Sequence, residues 1–193
     1  MKNILISVFL LCSISAFSQD LKTKKYAFSG GVGSTMILHK ALVGSAGVTG
    51  KTSYEFGFQF YMPLKKKLFF ITGLSWHTNE IKVTSGAYPD IDQTPKYYKL
   101  SLLYSPLFIQ VNFAKHLFFQ TGLLIDIDIS NNSYITNQSG IGSGLGLGAY
   151  IPLSKKLDLQ IEYFINVHGI ILIKGENYPE RVLDNGLKIG IAF

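Results

Sequence analysis

The feature that most constrains this chain is a strict alternation of apolar residues with small or polar ones, repeated along its length. Phe56-Gly57-Phe58-Gln59-Phe60, Leu123-Leu124-Ile125-Asp126-Ile127-Asp128-Ile129, Leu145-Gly146-Leu147-Gly148, Leu157-Asp158-Leu159-Gln160-Ile161-Glu162-Tyr163 and Leu187-Lys188-Ile189-Gly190-Ile191-Ala192-Phe193 all carry it. Successive side chains on a strand point to opposite sides, so each segment reads as a strand with two chemically different faces. Helical spacing is not sustained after residue 19, and no apolar run there approaches the roughly 18 residues of a membrane helix.

Cutting the sequence at its turn signals gives eight segments, approximately 26–38, 52–62, 68–83, 97–113, 117–130, 140–152, 157–173 and 183–193. The connections alternate in kind. Those at 63–67, 114–116 and 153–156 are short and basic, whereas 39–51, 84–96, 131–139 and 174–182 are longer and rich in Gly, Ser, Asn, Asp or Pro. An even number of antiparallel strands, with tight turns at one end and longer loops at the other, is the pattern of an outer-membrane barrel with its tight turns in the periplasm. The fold class expected is therefore all-β, an eight-stranded antiparallel up-and-down transmembrane β-barrel. A hairpin-sized repeat supports the register: Lys67-Leu68-Phe69-Phe70-Ile71-Thr72-Gly73-Leu74 matches His116-Leu117-Phe118-Phe119-Gln120-Thr121-Gly122-Leu123.

Alternation alone does not say which face is outside, because a soluble barrel has the same period with its apolar face inward. The composition of the faces separates the two. The polar face includes Ser53, Glu55, Gly57 and Gln59, the glycine row Gly142, Gly144, Gly146 and Gly148, and Asp158, Gln160, Glu162, Asn166 and His168. Four alternate glycines would leave bare backbone facing water in a soluble barrel, but they suit a narrow lumen filled by side chains from other strands. Only 16% of the residues are charged against 47% apolar, short of the charge a water-exposed surface usually carries. Aromatic residues gather at both ends of the apolar face. Phe60, Phe70, Phe113, Phe119 and Phe193 fall toward the tight turns, and Tyr54, Trp76 and Tyr98 toward the loops. Two such girdles are expected at the membrane interfaces.

The start of the chain reads as a cleaved secretory signal over 1–18. Lys2 supplies a basic region, 4–11 an apolar one, and Ala16 and Ser18 the small residues before Gln19. The single cysteine, Cys12, lies in the apolar part and follows Leu11, where a lipoprotein signal would carry a small residue. The remaining segment, 19–193, is then one barrel domain with no thiol for a disulfide or a zinc site. In the fourth segment Tyr98, Leu100, Leu102 and Tyr104 keep one parity while Ile109, Val111 and Phe113 keep the other. This predicts a bulge near Ser105-Pro106.

Leu102-Leu103-Tyr104-Ser105-Pro106-Leu107-Phe108-Ile109-Gln110-Val111, the Gly144–Ala149 strand and the terminal segment 186–193 resemble the small outer-membrane β-barrel proteins of Bacteroidetes with the PorT-type barrel domain. The resemblance spans the chain after the signal. It implies insertion by the outer-membrane assembly machinery, with Leu187, Ile189, Ile191 and Phe193 as the recognition signal.

No cofactor or metal is implied by the sequence. Gly30-Gly31-Val32-Gly33 lies in a strand and opens no helix, and Lys65-Lys66-Lys67 is too short and isolated to read as a nucleic-acid site. His39 and His116 fall in connections. His77, Asp126, Asp128 and His168 face inward toward the loop end, where an Asp/His group resembles the catalytic arrangement of larger outer-membrane proteases. The competing reading is an internal polar network in which Lys99, Lys188 and the histidines balance interior acids. Eight strands enclose an interior just wide enough for side chains, so a sugar or peptide pore is excluded. The function expected is a non-enzymatic barrel of envelope structure, adhesion or assembly. Its partners are outer-membrane lipid, the assembly machinery and envelope proteins reached through loops such as Tyr88–Asp92 and Glu176–Arg181. A mouth-site hydrolase and a narrow ion channel are the alternatives.

Overall fold

A computed structural model describes residues 25–38, 47–84, 94–113, 116–130, 135–154, 156–174 and 179–193. The expected signal, His39, the 88–92 loop and residues 176–178 lie outside them. Eight strands follow in order: β1 (Lys25–Leu38), β2 (Gly47–Lys65), β3 (Leu68–Thr84), β4 (Lys96–Asn112), β5 (Leu117–Asp128), β6 (Gly140–Pro152), β7 (Asp158–Leu172) and β8 (Arg181–Ala192). Each pairs antiparallel with its neighbour, and β1 pairs with β8, so the ring is a closed up-and-down barrel. Reciprocal bonds of 2.8 Å between the backbones of Tyr26 and Phe193 finish the seam. Closure leaves no sheet edge unpaired, the condition for placing strands in hydrocarbon.

The two faces separate as the alternation requires. Every strand turns large apolar side chains outward, among them Val32, Phe56, Leu74, Ile109, Leu123, Leu147, Ile161 and Ile189. Inward rows carry most of the buried polar residues, including Glu55, Gln59, Gln120, Asp126, Glu162 and Lys188. The glycine row of β6 serves its neighbours. A Cβ on Gly142 would stand 2.6 Å from Asp126 Oδ2, and one on Gly146 or Gly148 would collide with Glu162 or Phe118.

Two apolar clusters close the interior. From the tight turns to mid-barrel, Ala27, Tyr61, Ile71, Tyr104, Phe108, Leu124 and Ala192 pack together with Phe69 and Tyr150. At the loop end Ile37, Ile81, Leu100, Leu102, Ile135 and Val182 form the second, with Val48 and Val83 against it. Polar side chains fill the lumen between and among these plugs, with Gln59 and Gln160 meeting the Tyr61 hydroxyl within the first.

Several expectations need correction. β2 begins at Gly47 and runs to Lys65, with register shifts between Gly50 and Ser53 and between Pro63 and Lys65. The first shift changes the parity of the row, which hid the strand's beginning from the period-two pattern. No bulge occurs at Ser105-Pro106, since the pairing of β4 with β5 runs without a break from Leu102 to Asn112. Leu100, Leu102 and Tyr104 share the inward row with Phe108 and Gln110. They are apolar because they build the plugs, not because they face lipid.

Tyr98 therefore leaves the outer girdle. It pairs with buried Ile81 and lies on the inward row, while Tyr97 is the exposed aromatic of that turn of strand. Lys99 is on the outward row, its Nζ 5.9 Å from the centre of the Trp76 ring, and takes no part in the interior network. The irregularity absent from β4 is found in β7. Ile141 pairs with Ile171 but Ser143 with Val167, so two extra residues of β7 are accommodated around Gly169, whose φ is 61°. That left-handed backbone favours glycine.

Candidate functional site

Tilted strands bring residues from β1, β3, β5, β7 and β8 into one layer beneath the loop-end plug. His168 Nδ1 lies 2.9 Å from Asp126 Oδ1, and its Nε2 lies 3.4 Å from Asp184 Oδ2. His77 Nε2 lies 3.2 Å from the same Asp184 oxygen, and the two imidazole rings are 5.8 Å apart. Thr35 donates its hydroxyl to the other Asp184 oxygen. The β7 bulge turns the Gly169 amide toward Asp126 Oδ2, which accepts from it at 3.2 Å. Asp126 thus fixes both the orientation of His168 and the backbone that carries it.

A second polar layer lies toward the tight turns. Lys188 Nζ is 2.7 Å from Glu55 Oε1 and 4.3 Å from the centre of the Phe164 ring. Glu162, which pairs with Lys188 across β7 and β8, accepts from Gln120 Nε2 at 2.6 Å and from Gln160 Nε2 at 3.2 Å. The Tyr61 hydroxyl stands 2.7 Å from the Gln59 amide oxygen and 2.9 Å from that of Gln160. Four acids, one lysine and two histidines are therefore tied together in a narrow lumen, each charge held against an opposite or dipolar partner, as burial demands.

Of the four residues singled out as an Asp/His group, three are brought together. His77, Asp126 and His168 share the layer, but Asp128 does not join them. Its carboxylate caps the following loop, accepting from the Ser130 amide and hydroxyl and from the Gln138 amide at 3.0 Å. The loop then folds inward. Ile135, Thr136 and Gln138 are buried, and Thr136 and Glu180 exchange backbone and side-chain bonds of 3.3 and 3.2 Å. Asp184, which both histidines approach, was missed by sequence reading. Its signal was the inward parity it shares with Lys188 on β8.

The layer is not an open mouth. His168 is 0% exposed and Asp126 1%, and Ile81, Leu100, Leu102 and Ile135 lie between them and the loops. Among the described residues no group of three or more His, Cys, Asp or Glu side chains is arranged to hold a metal ion. A cavity of about 230 Å³ opens at the tight-turn end, where Tyr61, Phe69, Gln110, Asn112, Tyr150 and Asp158 contribute to its wall.

The outward aromatics are placed as follows. Tyr54, Trp76, Phe113 and Phe119 are exposed, and Phe70 is half-buried on the same outward row as Leu74. Leu187, Ile189, Ile191 and Phe193 form one exposed row that ends beside Tyr26 and Phe28, whose rings lie 6.0 and 6.1 Å from that of Phe193.

The backbone is similar to that of the outer membrane protein OprG from Pseudomonas aeruginosa, with a TM-score of 0.54, 11% identity, and coverage of 88% of this chain and 95% of that one. It is also similar to the outer membrane protein AlkL studied in lipid bilayers, with a TM-score of 0.53, 10% identity, and coverage of 91% and 92%. Both likenesses are of fold. By sequence the chain matches no family model and no curated protein.

Proposed function

We propose that this chain is an integral outer-membrane barrel that works without catalysis, as an envelope scaffold for structure, adhesion or assembly with other envelope proteins. The observation that carries the reading is the inversion of polarity around a closed ring. Large apolar side chains stand exposed on the outward row of every strand, while charged groups are buried in the lumen. In water that arrangement would expose far more contiguous apolar surface than a soluble monomer tolerates. In a bilayer it becomes the lipid-facing belt. Outer-membrane location is further supported by the likeness in fold to OprG and AlkL.

In this reading the signal at 1–18 is removed on export and the row from Leu187 to Phe193 is presented to the outer-membrane assembly machinery. Kinship with the PorT-type barrels of Bacteroidetes belongs to the same proposal. The long loops face outward from the cell and supply the contacts with partners. Burial of His168 and Asp126 beneath an apolar plug speaks against a mouth-site hydrolase, which needs water and substrate at its carboxylate. The same plugs speak against an open channel.

The test is membrane fractionation followed by electrophoresis in detergent with and without boiling. The reading expects the protein in the outer-membrane fraction, with a mobility that changes on boiling as the closed barrel unfolds. A protein that stays in the soluble fraction with a single mobility would overturn it.

A further inference from the structure

The outward rows of the barrel do not all end alike at the loop end. On β1 the row ends on Met36 and Leu38, and past β5 and β7 it ends on Ile129 and Ile173, all exposed. On β2, β3 and β4 it changes character abruptly. Phe56, Leu74 and Trp76 lie lower on the outward face, and above them come Lys51, Lys82, Tyr97 and Lys99. These strands are also the longest, at 19, 17 and 17 residues.

The patch has internal order. Lys82 and Tyr97 are cross-strand partners, as are Glu80 and Lys99. Lys51 reaches across β3, pairing with Glu80 and standing 4.1 Å from the centre of the Tyr97 ring. The bulge between Gly50 and Ser53 leaves both Lys51 and Thr52 exposed. Lys99 stands over Trp76, at the boundary between basic and apolar surface. Three lysines face one glutamate here, and Glu80 is the only acid on the outward rows of the loop-end half among the described residues.

We infer that this sector of β2, β3 and β4 binds the phosphorylated headgroup of a glycolipid in the outer leaflet, its acyl chains lying on Phe56, Leu74 and Trp76. The inference rests on the outer-membrane reading and adds a ligand to it. An amphiphile fits because apolar and cationic surfaces are continuous on the same three strands, facing sideways into the membrane. A soluble anion would have no use for the apolar half. Trp76 is the residue type that settles at such a boundary, and each lysine near an anionic surface adds attraction.

Trp76 is the only tryptophan of the chain and reports on its own site. The full barrel, refolded in detergent micelles, is titrated with lipid A carrying both phosphates while Trp76 emission is followed. The expected result is a saturable change that dephosphorylated lipid A and inorganic phosphate do not reproduce. The variant K51Q/K82Q/K99Q should weaken binding by at least about tenfold, in keeping with the loss of three near-surface charges. Should the triple variant not fold, K51Q and K99Q, at exposed positions, carry the same test singly.

Equal binding by the lysine variants, or by dephosphorylated lipid A, would sink the inference. Saturation by inorganic phosphate alone would assign the patch to a free anion and also overturn it. The boiling-dependent mobility of the native protein separates the two levels. If the mobility shift is present but lipid binding is absent, only the glycolipid site falls; if both are absent, the outer-membrane reading falls first.

Discussion

Lys188 on β8 and Glu55 on β2 meet 2.7 Å apart inside the lumen, although β1 lies between their strands in the ring. The pair is a strut over β1, formed because the residue of β1 that pairs with both Glu55 and Lys188 is Gly31, where a Cβ would press on Lys188 Cγ at 2.9 Å. Removing one partner leaves a buried charge uncompensated. Lys188→Met is therefore expected to destabilise the barrel by about 3–5 kcal/mol, and Lys188→Met with Glu55→Gln to recover most of that loss. Urea unfolding in lipid vesicles, followed by the folded and unfolded gel bands, measures both. A double variant as unstable as the single would contradict the strut.

Gly146 and Gly30 should respond oppositely to the same substitution. A Cβ at Gly146 collides with Glu162, whereas at Gly30 it meets the Phe56 ring at an ordinary 3.6 Å. Gly146→Ala is expected to cost about 1–3 kcal/mol through overpacking of the lumen. Gly30→Ala should be neutral or stabilising by up to about 1 kcal/mol, since alanine restricts the unfolded chain. The same unfolding measurement decides, and equal effects at the two sites would refute a tightly filled interior.

Depth in the bilayer can be read with arginine. Leu187 is 54% exposed in the body of β8, whereas Ile173, 78% exposed, lies just past the loop end of β7. Leu187→Arg should destabilise by about 2–4 kcal/mol and Ile173→Arg by only about 0–1 kcal/mol. Comparable costs at both positions in vesicles would mean that the belt does not face lipid as argued.

Asp128 anchors the inward-folded loop without touching the histidine layer. Asp128→Ala is expected to leave global unfolding within about 1 kcal/mol of native while raising amide exchange at Gln138 roughly tenfold, through loss of a charge-assisted bond in a locally opening segment. Hydrogen exchange in micelles checks it. Unchanged protection at Gln138 would remove Asp128 from that role.

Planar bilayers should record no stepwise conductance from the native barrel, because the polar layers are sealed by the clusters around Tyr61 and Ile81. Steady single-channel steps would favour the ion-channel alternative.

Eight strands, their order and most of their limits were legible because period-two alternation is written locally, residue by residue. The inward row of Gly142 to Gly148 was legible for the same reason, as were Glu55, Gln120, Glu162 and Lys188 in the lumen. The errors have one cause. Tyr98, Leu100 and Leu102 were read as lipid-facing because they are apolar, yet a barrel closed at both ends also needs apolar residues inside. Chemistry told the face wherever the lumen is polar, and misled where the plugs form.

The candidate site was legible only in part, since alternation fixes the side of the wall a residue occupies but not which residues meet across it. His77, Asp126 and His168 were placed inward by parity alone. Their meeting at Asp184, and the diversion of Asp128 to a loop, follow from the stagger between strands and from the bulge at Gly169. By itself, then, the sequence determined an eight-stranded wall with a lipid face and a lumen face, because side-chain direction on a strand repeats every two residues. Only the tertiary structure decided the partners across the lumen, the apolar seals and the lysine sector of β2, β3 and β4. These depend on closure, tilt and single-residue shifts of register, which leave little mark on local composition.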